Sequence, residues 1–241
     1  MGKSIKKLRL SPFTTIIAVF AVISLILTSA DAFGGTHIWN FVYTSAHLGK
    51  DAYKNDTRVI FADVGQGDCT IIMSEGETAV IDSGPYSASD ELVRYLLTLG
   101  ISDIDYLVAT HPHEDHIGSF AGIIEEVGAK RIIMQEAELS GETDAAALYR
   151  LKTAAKENGV ATAGPYIDMQ ISVGAVSVTV IGPVAGYAGN ENNLSLILRI
   201  ETEALSFLIT GDAEEDCEKD MLSEYGEGLK ADVLKAGHHG S

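Results

Sequence analysis

The order of apolar runs predicts an α/β fold in which two β-sheets pack face to face between helices. Three observations carry this expectation. Short β-branched runs split by glycine turns open the ordered region. Amphipathic helical patterns follow, and a second block of strand-like runs then precedes a last helix and a last strand. The chain has 241 residues, 46% of them hydrophobic, which is enough apolar material for a domain-sized core.

Order is expected from Thr57 onward. TRVIFAD (57–63), CTIIMS (69–74) and TAVID (78–82) alternate with Gly-containing turns and read as antiparallel strands. Ser89 or Asp90 can cap a helix running through ELVRYLLTL to Gly100, whose apolar residues fall at helical spacing. IDYLVAT (104–110) reads as a buried strand, residues 117–128 as a helix and RIIMQ (131–135) as another strand. An alanine-rich amphipathic helix is expected over 143–159, closed by Gly159. Strands follow at 175–182, 194–201 and 205–210, the last two joined by only three residues as a hairpin. A helix over 213–226 and a strand over 231–237 complete the series.

The N-terminus reads as a targeting segment. Lys3, Lys6, Lys7 and Arg9 precede the apolar run Ile16–Leu27, and Ala30-Asp31-Ala32 offers a small-x-small cleavage site. Residues 1–32 are therefore expected to be a signal peptide or an N-terminal anchor, with membrane attachment through residues 10–30 in the second case, and 33–56 a linker. The location implied is secreted or extracytoplasmic. Lys+Arg number 17 against 34 Asp+Glu, a net charge of −17. Such a surface repels a phosphate backbone unless metal ions or a local patch compensate, which argues against a general nucleic-acid binder. Cys69 and Cys217 have neither a second cysteine nor a histidine at metal-ligand spacing and are expected to be buried free thiols.

The chemistry concentrates in three stretches. HPHEDH (111–116) places three of the seven histidines and two carboxylates on one turn after a strand. His111 and His113 can lie on one side while Asp115 and His116 begin the turn, so that one pair holds one ion and the other pair faces a second. Imidazole with carboxylate suits Zn, Mn or Fe. In ITGDAEED, Asp212 follows a strand and a glycine and would project toward the same face, where one carboxylate can bridge two dications; alone, a Gly-Asp in this setting is as readily a helix N-cap. In LKAGHHGS a strand ends in His238 and His239, either of which can supply a further ligand. All five histidines after residue 50 thus fall at two strand ends.

HPHEDH matches the His-x-His-x-Asp-His signature of the metallo-β-lactamase superfamily. VIDSG (80–84), DVGQGDCTII (63–72), NNLSLILRI (192–200), LITGDAEE and LKAGHHGS further resemble the soluble domain of ComEC-type competence proteins and related secreted hydrolases, choline-phosphate esterases among them. The resemblance covers about residues 57–241. It implies an αββα sandwich with two divalent metal ions, Zn or Mn, at the sheet edges. The ligands it implies are His111, His113, Asp115, His116, Asp212 and His238, with Asp82 supporting the metal loop. The family's histidine between the first cluster and the bridging aspartate has no counterpart here, since no histidine lies between 116 and 238. Asn193 or a water would fill that gap, and either the first ion would be held weakly or the working enzyme would carry a single ion; Mn tolerates such oxygen-richer ligation better than Zn. The family pattern continues beyond the second histidine pair, so the C-terminal elements are expected to be lacking.

The function this implies is an exported, competence-related, metal-dependent hydrolase of phosphodiesters, nuclease-like, in which Asp115 and Asp212 position the attacking water. Its partner would be a phosphodiester substrate, DNA or a small ester. The alternatives are a small-ester hydrolase such as a choline-phosphate esterase, or a non-catalytic exported DNA- or wall-binding subunit. The subunit reading wants a Lys/Arg-rich or aromatic-interleaved stretch, and the sequence has none. β-Lactam hydrolysis is disfavoured by the missing histidine.

Overall fold

The computed structural model describes residues 56–135, 141–187 and 189–240. The expected leader and anchor, and nearly all of the expected linker, lie outside the described residues. Among the described residues no helix is long and apolar enough to cross a membrane.

The first half is a six-stranded sheet: β1 (Arg58–Phe61), β2 (Thr70–Ser74), β3 (Glu77–Ile81), β4 (Tyr106–Val108), β5 (Arg131–Ile133) and β6 (Ala161–Ala163), in that spatial order. β1 to β3 are antiparallel, as expected from their short connections, while β3 to β6 run parallel through helical crossovers. The crossovers are α1 (Ser89–Thr98), the short α2 (Glu114–Ile117) followed by α3 (Phe120–Glu126), and α4 (Glu142–Glu157). The second sheet holds β7 (Gln170–Val173), β8 (Val176–Gly182), β9 (Ile197–Glu201), β10 (Ser206–Ile209) and β11 (Val233–Lys235), in the order β11-β10-β9-β8-β7. β9 and β10 form the expected hairpin, and α5 (Glu215–Tyr225) crosses over to β11, which pairs parallel with β10.

Side-chain alternation sorts the apolar residues into three layers. Ile71, Val80 and Leu107 face α1, α3 and α4 together with Leu96, Phe120, Ile123 and Leu151. Their strand neighbours Ile72, Ala79, Ile81 and Val108 point the other way and meet Val176, Val178, Leu198, Ile200 and Ile209 between the sheets. Ile197 and Leu208 turn outward onto Cys217 and Met221 of α5. The fold is therefore the expected helix–sheet–sheet–helix sandwich. Strands buried on both faces explain why β2 and β3 read as continuous apolar runs. Cys69 and Cys217 are free and buried.

Two strands went unassigned in the sequence. β6 offers only three residues, two of them exposed, and β7 only four, so neither carries an apolar run. The helix expected over 117–128 begins earlier and in two pieces, because α2 winds up inside the HPHEDH stretch. Gly118 sits at their junction. A Cβ there would collide with the Tyr86 amide nitrogen and lie 2.7 Å from the Pro85 carbonyl carbon. Only a residue without a side chain lets α2 seat against the loop after β3. Gly118→Ala should therefore destabilise the fold by about 1–3 kcal/mol through overpacking. Gly164→Ala, which meets nothing within 4 Å, should stay within about 0.5 kcal/mol of the native protein. Urea denaturation of both variants checks this, and equal midpoints would contradict it.

Candidate metal centre

The centre forms where four strands end. β3 and β4 are parallel, as are β10 and β11. Asp82, the segment Thr110–His116, the pair Gly211-Asp212 and the stretch Lys235–His239 thus leave from one edge of the sandwich. The two sheets are tied there by the Leu196 amide donating to the Thr110 carbonyl (2.9 Å), while at the edge of the second sheet the Asp212 amide donates to Ser195 Oγ (2.9 Å). Gly211, at φ +51°, has its α-carbon so close to Ser195 and Thr110 that a side chain would not fit. This close approach brings Asp212 under the histidines.

Three histidines have one ring nitrogen engaged by a protein group, which turns the other inward. His116 Nδ1 donates to Asp82 Oδ2 (2.9 Å). The Thr110 hydroxyl donates to the same oxygen (2.7 Å), so Thr110 Oγ1 is the acceptor left for His111 Nδ1 at 3.2 Å. His113 Nε2 lies 3.4 Å from Glu191 Oε2. The network assigns the lone pairs of His111 Nε2, His113 Nδ1 and, once its proton leaves, His116 Nε2 to the interior.

The inward atoms stand at co-ligand distances. His111 Nε2 and His113 Nδ1 are 3.0 Å apart, and His111 Nε2 is 3.8 Å from Asp212 Oδ2. Asp212 Oδ1 lies 3.1 Å from His116 Nε2, while Oδ2, the oxygen that faces His111, also lies 3.4 Å from His239 Nε2. His239 Nε2 is also 3.3 Å from Asp115 Oδ2. Two ligands of a tetrahedral ion with bonds near 2.0–2.1 Å would be about 3.4 Å apart. Asp115, His116, Asp212 and His239 converge as one such group. His116 Nε2 and Asp212 Oδ1 are buried and face one another without a directed hydrogen bond, as expected of two atoms that share an ion. The residues fit a divalent ion at Asp115, His116, Asp212 and His239, with His111 facing Oδ2 of the same Asp212 carboxylate and His113 beside it.

Burial would push the His116 pKa down, but Asp82 and Asp212 outweigh it and hold it at about 10. Burial and the neighbouring His116 charge push His111 well below its usual value. Burial opposes ionisation of Asp212, yet the close approach of His116, with His111 and His239, holds its carboxyl well below the usual range. The metal-free centre is thus an imidazolium wedged between two carboxylates beside a neutral imidazole.

Comparison with known proteins places the chain in a family. The metallo-beta-lactamase superfamily model matches residues 62–241. The chain belongs to the metallo-β-lactamase superfamily. It is 30% identical over 205 residues to ComE operon protein 3 of Bacillus subtilis, covering 78% of this chain and 26% of that protein. It is 28% identical to Recombination protein 2 of Haemophilus influenzae (80% and 22%) and 24% identical to Competence protein ComA of Neisseria gonorrhoeae (78% and 24%). The chain spans about a quarter of the length of these relatives. Among solved structures it resembles a beta-lactamase from Chitinophaga pinensis, with a TM-score of 0.53 and 19% identity over 76% of each chain. The metallo-beta-lactamase GOB-18 from Elizabethkingia meningoseptica gives a TM-score of 0.52 at 19% identity, over 76% of this chain and 74% of that one. These structures share the fold.

Of the ligands the family resemblance implied, the structure brings together His111, His113, Asp115, His116 and Asp212. It does not bring His238 to them. His238 Nδ1 turns to Glu214 Oε1 (3.3 Å), and His239 takes the inward position. Asn193 is buried, with its Oδ1 accepting the Glu214 amide (2.8 Å), so it anchors a turn rather than facing the ions. Three contributors went unassigned in the sequence. Asp68 lies 3.9 Å from His116 Nδ1 and 3.8 Å from His239 Nδ1, Glu191 abuts His113, and Lys235 pairs with Asp68. The glycine-flanked aspartate in GQGD was the available signal for Asp68; Glu191 and Lys235 had none.

Two outcomes follow. His239→Ala should lower affinity for one ion at least 10- to 100-fold, as losing even a supporting group does, whereas His238→Ala should change it only a few-fold. Metal titration of both variants separates them, and the reverse order would reassign the ligand. Ion binding must also expel the His116 proton, so apparent affinity should rise roughly tenfold per pH unit between about pH 6 and 8. In the metal-free protein that proton stabilises the fold. The folded pKa lies above the unfolded one, so its contribution is complete below about pH 6.5 and is lost as pH rises through about 10. Affinity independent of pH would place the proton elsewhere.

Proposed function

We propose that this chain is a metal-dependent phosphodiester hydrolase, competence-related and working outside the cytoplasm. The observation that carries the reading is Asp212, a buried carboxylate with His111 toward one oxygen and His116 toward the other, at the mouth where Asp115 and His239 meet. Divalent ions bound there would neutralise the developing charge on phosphorus-bound oxygens and acidify a water. The chain's own part is orientation. Asp212 is locked from behind by Ser195, while half-exposed Asp115 can accept a hydrogen bond from the attacking water. The sequence likeness to a protein named for competence supports DNA as substrate. The leader-like pattern from Lys3 to Ala32 supports export, with cleavage or membrane anchoring both consistent with it.

A second reading has its own observation. The rim beside the centre carries Glu191 and Glu214, the latter held by Asn190, Asn192 and His238. An acidic rim disfavours a polyanion and suits a small phosphodiester with a cationic head group, such as a choline-phosphate ester. Hydrolysis of bis(p-nitrophenyl) phosphate, single-stranded DNA and p-nitrophenyl phosphorylcholine with added Mn or Zn tests both readings. Phosphodiester turnover is expected and should fall at least about 100-fold in Asp212→Asn. The preferred substrate decides between the readings. Failure to turn over any of the three with the ions bound would overturn both.

A further inference from the structure

Along β11, Val233 packs between the sheets, Leu234 faces solvent, and Lys235 turns back inward under the centre. Its ammonium donates to the Gly211 carbonyl (2.9 Å), pairs directly with Asp68 Oδ2, and lies 4.0 Å from Asp212 Oδ1. The side chain is only 14% exposed. Asp68 carries the contact onward toward His116 Nδ1 and His239 Nδ1. One fixed positive charge therefore touches, directly or through one carboxylate, three of the four groups that would hold the ion at Asp115, His116, Asp212 and His239.

The physics of that placement has two opposed consequences. Asp68, Asp82, Asp115 and Asp212 crowd around His116 and His239, and without an ion their mutual repulsion favours opening the edge. A tethered ammonium offsets this. Once a dication enters, the same ammonium is a like charge a few ångströms away, and in a partly dry site such repulsion is poorly screened. We infer that Lys235 is a built-in counter-ion that keeps the metal-free centre assembled and weakens its hold on the ion at Asp115, His116, Asp212 and His239, leaving that ion exchangeable. Lys235 is a positioning residue, since its effect on the ion runs through Asp68 and Asp212. The inference rests on the ion-binding reading of the centre and on no substrate.

The sign of the effect separates this role from a structural one. Loss of a merely structural contact would loosen the site and weaken ion binding, whereas removal of a repelling charge strengthens it. The test is a calorimetric titration of the full chain with Mn alone, in the native protein, Lys235→Gln and Lys235→Arg, alongside thermal midpoints without metal. Gln keeps a donor for Asp68 and Gly211 but no charge. Its Mn site at Asp115, His116, Asp212 and His239, identified as the one lost in His239→Ala, should tighten roughly tenfold or more while its metal-free midpoint falls. Arg keeps the charge and should stay within about threefold of the native affinity. If the Gln variant is unfolded without metal, its refolding is followed against added Mn, and it must be complete where the native site is half saturated. Mn binding no tighter than native in the Gln variant, or refolding that needs more Mn than this, overturns the inference. A native chain that binds no Mn would instead fail the underlying metal reading.

Discussion

Asp82 is almost wholly removed from water, sits at φ +54°, and accepts three hydrogen bonds: from the Thr110 amide, the Thr110 hydroxyl and His116 Nδ1. A residue with a side chain adopts that backbone only when its surroundings over-determine it, and here they do. The Asp82 amide is itself held by the Val108 carbonyl (2.9 Å). Through Thr110 the same carboxylate fixes the ring proton of His111, and through the Thr110 carbonyl it reaches the second sheet at Leu196. One buried charge thus sets the tautomers of two histidines and anchors the seam on which Asp212 is carried. Without it the histidines would still be present in the chain but would not agree on which nitrogen to present.

The centre is therefore a property of the sandwich and not of either sheet. The first sheet delivers the histidine turn, the second delivers Asp212 and His239, and the apolar layer between the sheets keeps the two edges in register. The supporting groups follow the same division. Ser195 and Asn193 hold Asp212 and Glu214 by hydrogen bonds to backbone amides, while Glu191 reaches from the same loop to His113. The loop that bears NNLS, the place of the family's missing histidine, thus contributes a carboxylate to the outer nitrogen of His113. Nothing in it replaces a ligand among the inward atoms described. That arrangement leaves the His111–His113 side with fewer protein donors than the Asp115–His116–His239 side.

What was legible in the sequence was whatever local pattern encodes. Continuous apolar runs gave β2 and β3 because both faces of those strands are covered, and the three-residue connection gave the β9–β10 hairpin. HPHEDH was conspicuous because ligand types rarely crowd so closely without cause. What could not be read was decided by tertiary approach. Lys235 looks like an ordinary strand lysine until β11 is laid beside Gly211, and Asp68 looks like a turn residue until its loop folds over Asp115. His238 and His239 are chemically identical neighbours. Both sit in left-handed backbone, with φ of 42° and 55°, and their contacts separate them: His239 meets Asp115 and Asp212 while His238 turns to Glu214. β6 and β7 escaped because ATA and QISV lack the apolar run that marks equally short strands such as YLV and SFLI, and are held by their neighbours' ladders.

The proposed function rests on Asp212 lying between two divalent ions, with His111 toward one oxygen and His116 toward the other. Electron paramagnetic resonance of the Mn-loaded full chain measures this most directly, because ions sharing a carboxylate at about 3.5–4 Å are magnetically coupled. A bridging Asp212 should give an exchange-coupled pair signal that grows in with the second equivalent of Mn and disappears in Asp212→Ala. A spectrum that remains that of isolated Mn at saturation, or a coupled signal unaffected by loss of Asp212, would contradict it.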